Sequence, residues 1–250
     1  MLVRRSLIPL MPKRESTLLP DEIVILPNKD KDDTHEHWYP SRNIADFPHP
    51  FRMVLSAQPH SGKSNLILNI VMHVAEGKTP FERIVIIHGS GKHTQEYETL
   101  EAEETFDTLP PAEFFIQAQE GKGNNKKSLV IIDDFELSNI SKKQLGDLSQ
   151  LFRFISTHHN WSVMISYQSF FDISPIIRKC SNIFILWKPR AKSEIAITAS
   201  RIHLDKEELQ HLMSELILNR WDSITFDFTL NSPYPLRKNV FQEVKYREAS

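Results

Sequence analysis

Short apolar runs alternate with longer segments of helical spacing through the middle of the chain. The apolar runs have the length and composition of buried strands, and they lie at residues 53–55, 81–88, 113–117, 128–136, 162–169 and 182–187. Helices are predicted for segments 65–72, 141–158, 192–201 and 205–218. Strands that alternate with helices are typical of an α/β domain with a mostly parallel sheet, and we predict that fold class.

Two of these segments carry the most regular patterns. Segment 223–228 alternates apolar and polar residues in the way that an edge strand does. Segment 141–158 is predicted to form an amphipathic helix, with one apolar face made of Leu145, Leu148, Leu151, Phe152 and Ile155.

The two ends of the chain differ in composition from its middle. Residues 1–48 are rich in proline, charge and turn formers, with one plausible strand at 22–26. Residues 1–14 resemble a weak targeting or membrane-surface segment, but two prolines interrupt it, and we favour an extended arm. Residues 232–250 are basic and irregular. We predict an N-terminal arm (1–48), a central domain (49–241) and a C-terminal tail (242–250).

Composition excludes several classes of protein. The 250 residues, of 29.1 kDa, suffice for one domain with a sizeable core. The net charge of −2 gives no global basic field, so any DNA contact would have to come from local clusters. The single cysteine, Cys180, excludes an intrachain disulfide framework and fits a reducing compartment. No apolar run approaches the roughly 20 residues of a membrane span, so we predict no membrane partner.

The turn between the first predicted strand and helix, AQPHSGKS at 57–64, has the pattern of a phosphate-binding loop. The backbone N–H groups of residues 61–64 and the following helix N-terminus would cradle the β-phosphate of ATP. Lys63 would reach the β- and γ-phosphates, and Ser64 would ligate Mg²⁺. Ala57 replaces the usual leading glycine, which alanine can do if its φ is negative. The predicted nucleotide-binding residues are Pro59, His60, Ser61, Gly62, Lys63, Ser64 and Asn65.

A second candidate element is the apolar strand that ends in two acids, 70 residues after Lys63. Asp133 is predicted to hold Mg²⁺, mostly through water because this ion dehydrates reluctantly. Asp134 would accept a proton from the attacking water or orient it, with Glu136 in reserve for that role. Two adjacent carboxylates can also be a simple turn. Because the chain also contains the Gly-Lys-Ser loop, we favour a metal-binding role for these carboxylates over a simple turn.

Other polar positions have functional and structural explanations. Gln168 ends a predicted strand, where ligands of open α/β sheets lie, so it can touch the γ-phosphate or the water. A second Gly-Lys pair ends at Lys92, but the acidic segment that follows would repel a triphosphate, and we reject it. The basic loop 120–127, with its lysines at 122–127, is either a solvated turn or a DNA-facing loop that meets backbone phosphates.

Taken together, these stretches resemble the FtsK/HerA class of DNA-pumping ATPases. Within that class they look most like the poxvirus-type genome-packaging ATPases of large eukaryotic DNA viruses, virophages and Polinton-like elements. The resemblance covers roughly residues 50–241. The matching stretches are SAQPHSGKS at 56–64 (Walker A), LVIIDD at 129–134 (Walker B), HHNWSVMISYQS at 158–169, SPIIRKCSNIFIL at 174–186 and FDFTLNSPYPLRKNVF at 226–241.

This resemblance implies a RecA-like (ASCE) P-loop fold, oligomeric rings and Mg²⁺-dependent ATP hydrolysis. It also implies translocation of double-stranded viral DNA into a preformed capsid, with capsid or portal-vertex proteins as partners and a virion or virus-factory location. Many relatives carry an arginine before the histidine–x–asparagine stretch, and here that position is Thr157. A trans-acting arginine finger would then come from elsewhere, and Arg178 and Arg153 are the candidates, in that order. For each, an ordinary surface ion pair is the alternative.

Three other functions stay open at the level of sequence. A cellular HerA-like translocase or helicase would use the same chemistry. A non-catalytic scaffold that is stabilised by nucleotide is disfavoured by the joint presence of Lys63, Asp133, Asp134 and Gln168. A small-molecule kinase is disfavoured because no arginine-rich lid segment follows the acid strand.

Overall fold

The computed structural model describes residues 23–25, 47–72, 81–89, 95–120, 126–135, 140–189, 191–230 and 232–246. Within these residues the strands are β1 (Ile23–Ile25), β2 (Arg52–Ser56), β3 (Arg83–His88), β4 (Glu104–Phe106), β5 (Ser128–Asp133), β6 (Trp161–Tyr167), β7 (Ile183–Leu186), β8 (Ile224–Asp227), β9 (Leu236–Lys238) and β10 (Gln242–Tyr246). The α-helices are α1 (Lys63–Met72), α2 (Ala112–Gln117), α3 (Lys142–Gln150), α4 (Ser156–His158), α5 (Pro175–Cys180), α6 (Lys192–Ile202) and α7 (Lys206–Leu216).

The described strands form one sheet in the order β1-β10-β9-β8-β7-β2-β6-β5-β3-β4. From β7 to β4 all neighbours are parallel, and from β7 to β1 all neighbours are antiparallel. The predicted mixed α/β fold with a largely parallel sheet is therefore confirmed. Strand β6 lies between β2 and β5, so the strand before the predicted phosphate loop and the acid-ended strand are not neighbours.

Both faces of the parallel part of the sheet are covered by helices. Successive residues of β2 enter different cores: Val54 lies in one, whereas Met53 and Leu55 lie in the other. Helix α1 covers the second core with Ile67, Ile70 and Val71, and residues from α3, α7 and the turn between α3 and α4 cover the first. Burial on both faces explains why these strands read as continuous apolar runs.

The predicted helix 141–158 is present, with two differences. Ser141 caps it in a capping box with Gln144, and the helix passes through a π-helical turn at Leu151–Ile155 before α4. The π turn holds an extra residue, which changes the face that each later residue presents. Leu145 was predicted on the apolar face, but its side chain is 39% exposed, so that assignment is wrong.

Segment 113–117 was predicted as a strand and is helix α2 instead. Pro111 precedes the helix at its N-cap, and Ala112 and Phe115, three residues apart, are its buried residues. Phe115 packs edge-on against Trp161, whose indole N–H donates to the Phe115 carbonyl at 3.0 Å. A short apolar run has no period long enough to distinguish helix from strand, which explains the error. The strand in this region is β4, which the sequence pattern did not indicate.

The C-terminal part of the chain extends the sheet. Strand β8 was predicted as an edge strand, but it lies between β7 and β9 and all four of its residues are buried. Segment 232–250 was predicted to be irregular, but it contains β9 and β10, and β10 overlaps the predicted tail 242–250. Buried Asp227 and Arg237 form an ion pair at 2.8 Å between β8 and β9. Each charge therefore has a partner, although in the sequence these polar residues argue against a buried strand.

The described part of the predicted arm also joins the sheet, because β1 pairs antiparallel with β10. Within the described residues, no helix combines the length and apolarity needed to cross a membrane.

Candidate nucleotide-binding site

The loop between β2 and α1 adopts a conformation that explains its sequence. His60 and Gly62 have φ of 58° and 84°, and the left-handed value at Gly62 is one that glycine adopts without steric cost. Ala57 is not among the described residues of positive φ, which meets the condition for replacing glycine there. Its N–H donates to the carbonyl of Tyr167 at 3.0 Å, which fixes the loop to the end of β6.

Side chains of the loop fold back on its own backbone. The Ser61 hydroxyl donates to the Gln58 carbonyl at 2.7 Å, and Lys63 Nζ donates to the Ala57 carbonyl at 3.2 Å. Lys63 is half-buried, and this burial lowers the pKa of its ammonium group, while the nearby Asp133 and Asp134 act in the opposite direction. The lysine is thus held across the loop at the point where a triphosphate would bind.

Ser64 connects this loop to the acid-ended strand. Its hydroxyl, in the first turn of α1, donates to Asp133 Oδ2 at 2.8 Å. Asp133 ends β5 and is only 1% exposed. The two residues predicted to share a metal ion are therefore in direct contact, although 69 positions separate them in the sequence.

Two further hydroxyl groups surround the same carboxylate, and sequence analysis missed both. Tyr97, on the 3₁₀ helix Gln95–Leu100, donates to Asp133 Oδ2 at 2.7 Å, and Ser166 of β6 donates to Oδ1. Ser166 could have been found, because it lies in a strand that sequence analysis placed beside the site. Nothing in the sequence around Tyr97 distinguishes it from other aromatic residues of the core.

Asp134 differs from its neighbour in both exposure and backbone. Its side chain is exposed, its φ is 49°, and its N–H donates to Ser166 Oγ at 3.4 Å. Gly89, at the end of β3, makes this turn possible: a Cβ there would lie 2.4 Å from the Asp134 carbonyl oxygen. Gly89 is thus a third residue that sequence analysis missed, since it was considered only as the start of the stretch that ends in the rejected Gly-Lys pair.

Gln168 is exposed directly after β6, at the edge of the sheet that carries the loop. Together with Ala57, Gln58 and Pro59 it lines a cleft of about 290 Å³. The predicted γ-phosphate contact is therefore placed beside the loop. Of the other predicted loop contacts, Pro59, His60 and Asn65 are exposed to solvent.

The donor set at Ser64 and Asp133 fits Mg²⁺. Hydroxyl and carboxylate oxygens are its preferred ligands, and in nucleotide sites it takes one or two carboxylates and completes its shell with phosphates and water. No group of three or more histidine, cysteine, aspartate or glutamate side chains is clustered for a metal within the described ranges. That observation is compatible with such an ion, because the protein provides only part of the shell.

The structure separates the two predicted arginine candidates. Arg178, on α5, is half-buried and donates to the carbonyl of Phe170 in its own chain at 3.3 Å. Burial lowers the pKa of its guanidinium, and the positive charge of Arg201 lowers it further. Arg153 lies on the π-helical turn and is exposed.

A third arginine was not considered from the sequence. Arg52, at the start of β2, donates from Nη1 to the Thr157 hydroxyl at 3.0 Å. A guanidinium group therefore lies at position 157 although that residue is a threonine. This contact is at the opposite end of β2 from the phosphate loop.

Several sequence predictions lie partly or wholly outside the described residues: the reserve acid Glu136, most of the basic loop at 120–127, the Gly-Lys pair that ends at Lys92, and most of the predicted arm at 1–48. The described end of the loop is fixed in place. The Lys126 carbonyl accepts from the side-chain amides of Gln119 at 3.0 Å and Asn160 at 3.1 Å.

Comparison with solved structures supports this fold. The genome packaging NTPase B204 of Sulfolobus turreted icosahedral virus 2, in complex with sulfate, superimposes with a TM-score of 0.53 at 16% identity, covering 82% of this chain and 100% of that one. The same protein with ATP-γS gives 0.51 at 16% identity, covering 76% and 96%. The pCW3 conjugation coupling protein TcpA with ATPγS gives 0.53 at 13% identity, covering 94% and 71%.

Comparison by sequence adds nothing to this result, because no protein-family model and no curated protein matches the chain. At these identities the superpositions show the fold alone. The chain therefore has the same fold as the genome packaging NTPase B204.

Proposed function

We propose that this chain is an ATPase that acts as the motor subunit for moving double-stranded viral DNA into a preformed capsid. The observation that carries the proposal is the 2.8 Å contact between the Ser64 hydroxyl and the buried Asp133 carboxylate. It joins a loop built for phosphates to an acid on another strand, with Lys63 and exposed Asp134 at the same edge of the sheet.

The residues of the site divide the chemistry among them. Backbone N–H groups of residues 61–64 hold the β-phosphate at the N-terminus of α1, and Lys63 contacts the β- and γ-phosphates. Ser64 and Asp133 would hold Mg²⁺, which would neutralise part of the negative charge of the phosphates when bound. Asp134 orients the attacking water and accepts its proton, and Gln168 contacts the γ-phosphate.

A ring of subunits supplies what one chain lacks. A cation from a neighbour stabilises the charge that develops on the transferred phosphoryl group. Arg153 is exposed and can face a neighbour, whereas Arg178 is half-buried and donates to Phe170 of its own chain, so Arg153 is the stronger candidate for that cation. Lysines of the loop at 122–127 meet DNA phosphates without reading sequence.

Fold similarity supports the packaging role, since B204 is a viral genome packaging NTPase with the same architecture. The partners under this proposal are double-stranded DNA, further copies of the chain and a capsid or portal-vertex protein, in the virion or the virus factory.

The test is phosphate release with and without duplex DNA, measured beside the oligomeric mass. Lys63→Ala should abolish turnover and keep the fold, because it removes the ammonium group that stabilises the negative charge of the transferring phosphate. Lys92→Ala, in the rejected Gly-Lys pair, is the matched control and should turn over normally. Wild-type turnover in Lys63→Ala would refute the site, and an oligomer without basal or DNA-stimulated turnover would favour the scaffold.

A further inference from the structure

A turn from the far end of the chain packs against the phosphate loop. It connects α7 to β8, and it lies at the loop's edge of the sheet because Ile224, which starts β8, pairs with Leu186, which ends β7. Within the turn, Arg220 donates to the carbonyl of His60, and Trp221 lies against Gly62, where an added Cβ would come within 3.4 Å of its ring.

The two side chains at the tip of this turn form a stacked pair that is open to solvent. The Arg220 guanidinium lies 4.3 Å from the centroid of the Trp221 ring, and the indole is 58% exposed. An indole ring that is exposed in this way offers a flat face on which another aromatic ring can stack. Here it is also adjacent to a predicted ligand site.

The turn that presents this pair is held in one conformation. Asp222 is buried, and its Oδ2 accepts from the backbone N–H groups of Leu218 and Asn219, each at 3.0 Å. Its other oxygen accepts from Asn239 at 3.1 Å, and Lys238 lies 3.3 Å away. The position of Trp221 is therefore set before any ligand binds, which lowers the entropic cost of binding.

Between the turn and the loop is a cleft of about 380 Å³. Its lining includes His60 and Ser61 of the loop, Asn219 and Arg220 of the turn, and Lys188, whereas Trp221, the next residue of the turn, is not part of the lining. The volume is within the range of small-ligand pockets.

The position of this cleft relative to the acids indicates what part of a ligand it would hold. Asp133 ends β5, on the β6 side of the loop strand, whereas the turn precedes β8, on the β7 side. A nucleotide whose γ-phosphate points towards Asp133 and Asp134 has its nucleoside on the opposite flank. That flank is the one occupied by Arg220 and Trp221.

We propose that Trp221 and Arg220 bind the nucleoside part of the nucleotide, with the base stacked on the indole. This inference rests on the proposed function. Every nucleobase has a π-face, so a stacking platform discriminates little between bases. The structure therefore assigns to this site a preference for nucleotides over inorganic polyphosphate, with ATP and GTP bound about equally.

The experiment measures the binding of ATP, GTP and inorganic tripolyphosphate, each with Mg²⁺, to the full chain by calorimetry. Trp221→Ala should weaken both nucleotides by about 5- to 150-fold, the loss expected for one stacked base, and leave tripolyphosphate unchanged. Trp221→Phe should restore most of the affinity. Leu230→Ala, which truncates another exposed apolar side chain, is the control and should bind as wild type does.

A second measurement uses the intrinsic fluorescence of the four tryptophans. ATP should quench part of the wild-type emission, and that change should be absent in Trp221→Phe. Unchanged ATP affinity in Trp221→Ala, or an equal loss for ATP and tripolyphosphate, would overturn the inference while leaving the proposed function standing. If wild type bound neither ATP nor tripolyphosphate, the proposed function itself would fail.

Discussion

The hydroxyl of Tyr97 provides the most direct test of how the Asp133 carboxylate is stabilised. Asp133 is 1% exposed, and a buried carboxylate is costly unless hydrogen-bond donors compensate for its lost hydration. Tyr97 supplies one of those donors at 2.7 Å and is itself 4% exposed. The change Tyr97→Phe removes the hydroxyl and keeps the ring, so the packing of the aromatic side chain is retained.

A hydrogen bond to a charged group contributes about 1.5–3 kcal/mol, so Tyr97→Phe should lower the free energy of unfolding by about that amount. The chain contains a matched control in Tyr167, which is 5% exposed. Its hydroxyl has no hydrogen-bond partner among the residues that the structure describes. Tyr167→Phe removes an unsatisfied polar group and should therefore be within about 0.5 kcal/mol of wild type, or more stable.

The assay is equilibrium urea unfolding of both variants at neutral pH, followed by circular dichroism. Repeating Tyr97→Phe in an Asp133→Asn background completes a double-mutant cycle, which should give a coupling energy of about 0.5–3 kcal/mol. Equal effects of the two tyrosine changes would refute the reasoning, because the contact with Asp133 would then contribute nothing beyond burial of the ring.

Two further predictions follow from contacts at the same edge of the sheet. Gly89→Ala places a Cβ 2.4 Å from the Asp134 carbonyl oxygen and should lower kcat about 100-fold by displacing the acid. The control is Gly146→Ala, where nothing lies within 4 Å of the added Cβ, and this change should stabilise helix α3 by about 0.5–1 kcal/mol. Normal turnover in Gly89→Ala would contradict the prediction. Burial alone would raise the pKa of Asp222, but hydrogen bonds from Asn239, Asn219, Leu218 and Lys238 outweigh it and hold that pKa below its ordinary value. The resulting stability is complete above about pH 4, the pKa of an unfolded aspartate, and is lost as the pH falls through the lower folded value. Asp222→Asn should therefore lower the free energy of unfolding at pH 7 by about 1–3 kcal/mol, with a difference from wild type that shrinks below pH 4, and a pH-independent difference would contradict the assignment.

Strands β2, β3, β5, β6 and β7 of the parallel part of the sheet could be predicted because burial on both faces leaves a strong apolar signal, whereas the edge strand β4 could not. In the antiparallel part, β1 and β8 were predicted as strands, but β9 and β10 were not. Strands β9 and β10 are short and polar, and their buried charge, Arg237, is satisfied by Asp227 of a neighbouring strand rather than by anything close in sequence. Segment 113–117 shows a second limit of prediction from sequence, since a run of only a few apolar residues fits either a helix or a strand.

The same distinction applies to the candidate site. Motif spacing indicated Lys63, Ser64 and Asp133, and the structure brings Ser64 and Asp133 into contact. Tyr97 and Gly89 act through tertiary packing on Asp133 and Asp134, and no local pattern marks such residues. The assigned roles of the site residues stay predictions until binding and turnover are measured.

The placement of β6 between β2 and β5 has a mechanical consequence. A nucleotide that spans the loop and the acids would fasten three strands side by side, with the middle one contributing Ser166. Strand β6 is seven residues, or about 23 Å, long. Its opposite end is Trp161, which follows the exposed residues Arg153 and Phe154 closely in the chain. Because close-packed interiors transmit strain, a displacement of the carboxyl end of β6 by bound nucleotide would be carried to Trp161 at its other end.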